Sequence, residues 1–280
     1  MQKTNGKPGK AAILGLHCTF AGVFTPSILT ILGIILFLRL GYVVGNAGLG
    51  ATLLILLLAN TISVLTSVSL AAIATNMKVK GGGDYYLISR TLGLEFGGAI
   101  GIVLFLAQSV SIAFYCIGFA EALASILPVN ISTQLIASVA VAFLFLMAWS
   151  GTNWVKKFQY AVMIILAAAL ISFFTGSFFK WDNTLLISNW SSPKTGIDFW
   201  LLFAIFFPAA TGFTQGVSMS GDLKTPGKSI PLGTFYAVGI SIIVYTVAAV
   251  LFAAALPGKN LISDYMAMQH VAYIGFIIPA

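Results

Sequence analysis

Long apolar runs dominate the chain, and short polar or charged segments separate them. The runs fall near residues 19–44, 48–75, 96–127, 131–149, 157–179, 198–220 and 229–255, with a last apolar stretch at 265–280. Several exceed the roughly 18 consecutive apolar residues that mark a membrane-spanning helix. The pattern predicts an all-α, polytopic membrane protein with seven spans.

Composition agrees with the pattern. Hydrophobic residues make up 59% of the chain and charged residues 8%, and the mean hydropathy is +1.01. So few charges do not cover the surface of a soluble domain of this length. The two cysteines, Cys18 and Cys116, fall near or within apolar runs and imply no disulfide framework.

The charges that remain report topology. The start MQKTNGKPGK is basic and is followed by no small-residue cleavage pattern, so residues 1–18 are expected to form a cytoplasmic tail. An inside N-terminus assigns Lys3, Lys7, Lys10, Lys78, Lys80, Arg90, Lys156, Lys157, Lys224 and Lys228 to the cytoplasmic side. It leaves Arg39, Lys180, Lys194 and Lys259 outside. This bias matches the positive-inside rule. The net charge of +7 is thereby explained without a nucleic-acid partner.

Two runs contain their own interruption. The first reads GVFTPSILTILGIILFLR over 22–39, with Pro26 and then Gly33; the sixth reads FFPAATGF over 206–213, with Pro208 and Gly212. Proline removes a backbone donor and glycine weakens a helix, so both sites are expected to break it. The first and sixth spans would run in opposite directions, each opening a group of helices. Interrupted helices at matching positions of two inverted halves point to the central site of a secondary transporter. An unwound segment offers carbonyls to a cation, and the half-helix after it offers free N–H groups to an anion. Thr30, Thr211 and Tyr115 add hydroxyls nearby. The middle of these helices has no Asp, Glu, Lys or His, which suits alkali cations and halide better than a proton relay.

The blocks KGGGDYYLISRTLGLEFGGAIG (80–101), AFYCIGFAEAL (113–123), FFPAATGF and SGDLKTPGKSIPLGT (220–234) resemble the cation–chloride cotransporter family. The likeness is to its sodium–potassium–chloride branch and prokaryotic relatives, within the amino acid–polyamine–organocation superfamily, and runs from about residue 20 onward. The resemblance implies an inverted-repeat five-plus-five core. Residues 19–180 would form the first repeat, 181–197 an extracellular loop and 198–280 the start of the second. It implies potassium binding at Thr30, Ile31, Tyr115, Pro208 and Thr211. It implies chloride binding at Gly33, Ile34 and Ile35, and again at Gly212, Phe213 and Thr214. Leu29 and Leu32 would supply half of a sodium site, and Arg39 with Glu121 an extracellular gate. The gate pair also follows from the residues, since each is a charge inside an apolar run near an outer end.

The chain departs from the sodium-coupled animal members, which carry asparagine and tryptophan where it has Thr30 and Leu32. Family members have about twelve spans, so this chain is expected to be a fragment that ends before the eighth. The expected function is symport of potassium and chloride, with sodium a further candidate, across the plasma membrane. Partners would be the lipid bilayer and small inorganic ions, and the full-length protein is expected to form a homodimer. No cofactor is expected. The alternatives are an amino acid or amine permease of the same superfamily and a non-transporting membrane partner subunit.

Other features carry less. KGGGDYY lacks the spacing of a phosphate loop and is expected to be a cytoplasmic hinge or short interfacial segment. Lys156 and Lys157 mark the start of the fifth span, and GGAIG (97–101) is expected to be a close helix-packing surface. His17 and His270 are isolated, so neither a transition-metal site nor a catalytic dyad is expected, and an enzyme is excluded.

Overall fold

Hydrocarbon offers no water to backbone polar groups, so a chain this apolar must pair them inside its own helices. The computed structural model describes residues 19–77, 82–124, 131–150, 152–191 and 196–274, and among them there is no strand. Among the described residues, six helices are long and apolar enough to cross a membrane: Phe20–Leu38, Leu40–Asn76, Leu94–Ala124, Trp154–Phe179, Phe199–Ser218 and Pro226–Ala255. A seventh apolar helix, Thr133–Trp149, has 17 residues, at the lower end of the spanning range. The tail 1–18, with Lys3, Lys7, Lys10, His17 and Cys18, lies outside the described residues, as do Lys78, Lys80, Lys194 and the apolar stretch after Ile274.

The boundary between the first two spans is a turn of backbone. Helix Leu40–Asn76 has non-helical angles at Gly48 (φ 73°, ψ 162°), so its first turns continue the first span and the remainder forms the second. The segment 181–197 is more ordered than a plain loop. Asp182 accepts a hydrogen bond from the Thr184 N–H and caps a short helix, Asn183–Ser188. Beyond the seventh span, two short helices, Gly258–Ser263 and Ala267–Val271, fold back over the bundle.

The main core gathers buried side chains from the first, second, fifth, sixth and seventh spans, with Phe173, Phe206, Tyr245 and Phe252 among its largest members. The seventh span packs along Leu40–Asn76. The third and fourth spans lie outside this core and turn large apolar side chains outward, including Leu94, Phe105, Val110 and Leu146. That distribution fits a surface covered by lipid. GGAIG packs closely at its two ends, with Gly97 against Ser89 and Gly101 against Tyr85 of a connecting helix, Gly83–Leu92, while Gly98 faces open space.

Candidate functional site

Both interruptions are present, but the prolines do not make them. Pro26 lies within helical backbone, since Phe24 and Thr25 before it already have helical angles. The π-helical turn Phe20–Phe24 precedes it. The chain leaves the helix only at Leu32 and Gly33, where φ/ψ become −81°/42° and −86°/−155°. Pro208 likewise starts a tightened turn, Phe207–Ala210, and the helix is lost at Thr211 and at Gly212 (φ 91°). The expectation that proline breaks each span is therefore corrected: proline changes the helical pitch, and the break follows three to seven residues later.

The fold brings the two breaks into contact. A Cβ built on Gly212 would lie 2.6 Å from Cγ2 of Thr30, so the second break rests directly on the first. The Thr30 hydroxyl donates to Pro26 O at 2.8 Å, which turns the methyl toward Gly212. Ser27, fully buried, donates to Phe213 O at 3.0 Å and accepts from Gly216 N–H at 3.2 Å, tying the first span to the second break and to the half-helix that follows it. From the second span, the Ser63 hydroxyl donates to Ala210 O. From the seventh, the Tyr245 hydroxyl donates to Ile31 O at 2.7 Å, with its ring edge-on to Phe206. Three buried hydroxyls thus each hold one carbonyl at the margin of a break.

Two cavities adjoin the first break, and Tyr115 lines both. One, of about 250 Å³, is bounded by Leu29, Leu32, Gly33, Ile34, Tyr115, Gly118 and side chains of the fifth span. The other, of about 300 Å³, is bounded by Pro26, Leu29, Thr30, Tyr115, Gln159 and Gln215. Among the described residues, neither wall contains a charged one. The first half-helix ends with its carbonyls near this space. Ile34 and Ile35 open the next half-helix, so their N–H groups have no intrahelical acceptor. An arrangement of carbonyls, free amides and neutral hydroxyls offers partners to small ions of both signs.

The expected residues divide accordingly. Leu29, Thr30, Leu32, Gly33, Ile34 and Tyr115 converge on the two cavities. Side chains of Ile31 and Ile35 turn into the core instead. Pro208, Thr211, Gly212 and Phe213 form the second break, where the Thr211 hydroxyl is engaged with Pro208 O at 2.7 Å. Thr214 turns away, toward the connecting helix Gly83–Leu92. Arg39 and Glu121 line one small cavity of about 40 Å³ beside Ile34 and Gly118. No ion pair joins them; the guanidinium lies 4.7 Å from the ring centre of Tyr265. Tyr265 comes from the segment folded back after the seventh span.

A family model described as amino acid permease matches residues 22–278. The chain belongs to the amino acid permease family. It is 39% identical over 257 residues to solute carrier family 12 member 1 of Mus musculus, covering 84% of this chain and 23% of the relative. It is 40% identical over 249 residues to solute carrier family 12 member 2 of Squalus acanthias, covering 82% of this chain and 21% of the relative. The human member 1 is 38% identical over 257 residues, with coverage of 84% and 23%. The chain therefore spans less than a quarter of the length of these relatives. Family and relatives are permeases and solute carriers, not enzymes, and the apolar helices make this member a multi-pass integral membrane protein.

Ser27, Ser63, Tyr245 and Tyr265 escaped the sequence reading of this family member. The signal for the first three was a polar side chain within an apolar run, which is expensive in a membrane unless it has a partner. Their contacts lie 147 to 214 residues away in the chain, so local pattern does not reveal what each one holds. Tyr245→Phe is expected to preserve packing while leaving Ile31 O short of a donor. The melting temperature in detergent should fall by about 2–4 °C, the effect of roughly 1 kcal/mol. An unchanged melting temperature would show that the carbonyl needs no such support.

Proposed function

We propose that this family member is a secondary symporter of potassium and chloride, with sodium as a third candidate ion, working by alternating access in the plasma membrane. The observation that carries the reading is the joining of the two breaks at Thr30 and Gly212, next to cavities that Tyr115 lines and no charge enters. A cation in a neutral shell is stabilised further when an anion bound nearby offsets its charge. Potassium is assigned to the carbonyl and hydroxyl groups of Thr30, Ile31, Tyr115, Pro208 and Thr211. Chloride is assigned to the amides of Gly33, Ile34 and Ile35, and to Gly212, Phe213 and Thr214. Leu29 and Leu32 contribute to sodium. The Tyr245 hydroxyl supports this reading by holding Ile31 O in a fixed direction. Arg39 and Glu121 face one cavity and form the outer gate by pairing across it when it closes.

The N-terminus is assigned to the cytoplasm, the five-plus-five inverted repeat to the complete core, and homodimerisation to the intact protein. The solute carrier family 12 relatives support ion symport, and the family description favours an organic substrate as the second reading. One experiment separates them. The intact protein is reconstituted in proteoliposomes, and rubidium uptake is measured with chloride replaced by gluconate, with and without sodium. Uptake is expected to collapse without chloride. Rubidium uptake indifferent to chloride overturns the reading, and amino acid uptake in its place selects the permease. No uptake of either kind selects a non-transporting subunit.

A further inference from the structure

Arg39 stands where the half-helix Ile34–Leu38 meets helix Leu40–Asn76, so its guanidinium is carried by the half-helix that begins with the amides of the first break. Glu121 lines the same cavity of about 40 Å³, which has room for a few waters at most. The guanidinium is engaged instead by Tyr265, at 4.7 Å from its ring centre. That ring is fixed in place by its surroundings. It packs at 5.7 Å against the ring of Tyr42, three residues beyond Arg39. Before it, Asp264 accepts from the Met266 N–H at 2.8 Å with one carboxylate oxygen, and the other lies 2.5 Å from His270 Nδ1. Lys180, just after the fifth span, donates to His270 O at 2.6 Å. Met266, the next residue along, lines the cavity that holds Leu32 and Gly33.

We propose that Tyr265 is a positioning residue for the outer gate: it competes with Glu121 for Arg39 and holds the guanidinium off the pair while the gate is open. The proposal rests on the reading of Arg39 and Glu121 as that gate. The two partners are closely matched in strength. Tyr265 is 50% exposed, and an exposed contact between a guanidinium and a ring face shifts an equilibrium by roughly two- to fivefold. An exposed ion pair shifts it by a similar factor. Neither partner therefore traps the arginine, and a small movement of the half-helix decides between them. A partner much stronger than Glu121 would lock the gate open.

Removing the ring is expected to favour the pair. In proteoliposomes of the intact protein, Tyr265→Leu should raise the half-saturating external rubidium about two- to fivefold, because fewer molecules present an open outer gate. Tyr265→Phe keeps the ring face and should stay near wild type. An unchanged value for Tyr265→Leu, or an equal rise for Tyr265→Phe, overturns the proposal.

A second measurement needs no transport. The fall in melting temperature on Tyr265→Leu is compared in detergent with Glu121 intact and with Glu121→Gln, as a double-mutant cycle. Glu121, where present, takes over the released arginine and offsets part of the loss. With Glu121→Gln the full loss appears, larger by about 1–3 °C. Adding Arg39→Gln to both backgrounds should erase that difference. A tyrosine that merely packs costs the same in both backgrounds, and that result overturns the competition. Competition in melting, with no rubidium uptake by the unaltered protein, keeps Tyr265 as the rival partner of Arg39 and removes the symport reading.

Discussion

Gly212→Ala is expected to abolish ion-dependent uptake, with rates falling at least about 100-fold. Two costs combine at this position. An alanine at φ 91° has its Cβ against its own backbone, which costs about 1–2 kcal/mol. The same Cβ meets Cγ2 of Thr30 at 2.6 Å and Cβ of Thr30 at 3.1 Å, so the two breaks must separate. Overpacking of this kind costs about 1–3 kcal/mol, and about 1.4 kcal/mol is a tenfold change in an equilibrium constant. Thr30→Ser in the same chain removes Cγ2 but keeps the hydroxyl for Pro26 O. It should restore the steric part and leave the backbone part, giving partial recovery of uptake. Normal transport by Gly212→Ala, or no recovery in the pair, would show that close approach of the breaks is not what the site needs.

Ser27→Ala is the second large effect. The side chain is fully buried and serves two backbone groups, Phe213 O within the second break and Gly216 N–H in the half-helix after it. Its removal orphans both at once, at about 1–3 kcal/mol for each buried group left unpaired. The variant should melt several degrees lower than wild type and lose uptake by about tenfold or more, because the break loses the strut that fixes its direction. Ser27→Cys keeps the shape with a weaker donor and should fall between the two. If Ser27→Ala melts with wild type, water has replaced the strut and the hydroxyl is not structural.

Much of the architecture is legible without tertiary information. Apolar length alone marks each spanning helix to within a few residues, because crossing hydrocarbon demands it. The sequence also places both interruptions, through Gly33 and Gly212, although it names the prolines as their cause. The backbone stays wound through both prolines, Pro26 behind a π-helical turn and Pro208 in a tightened one, so the helix shifts its pitch at each and comes apart only later. Resemblance to cotransporters then singles out Thr30 and Tyr115, which do share a cavity.

The remainder depends on partners far apart in the chain. Arg39 reads as one half of an ion pair, yet its neighbour in this arrangement is the Tyr265 ring, brought over it by a segment more than 200 residues later. Gly83 reads as part of a loop, yet it opens a connecting helix that closes on Ser218 of the sixth span. By itself, then, the sequence determined which runs wind into membrane helices, where two of them come apart and that their middles carry no carboxylate, lysine or histidine. Only the tertiary structure decided that the breaks touch at Thr30 and Gly212 and that Ser27, Ser63 and Tyr245 hold their carbonyls. The physical reason is range: helix length and helix breaking are properties of a few consecutive residues, whereas the donor that satisfies a freed carbonyl comes from whichever distant helix packs against it.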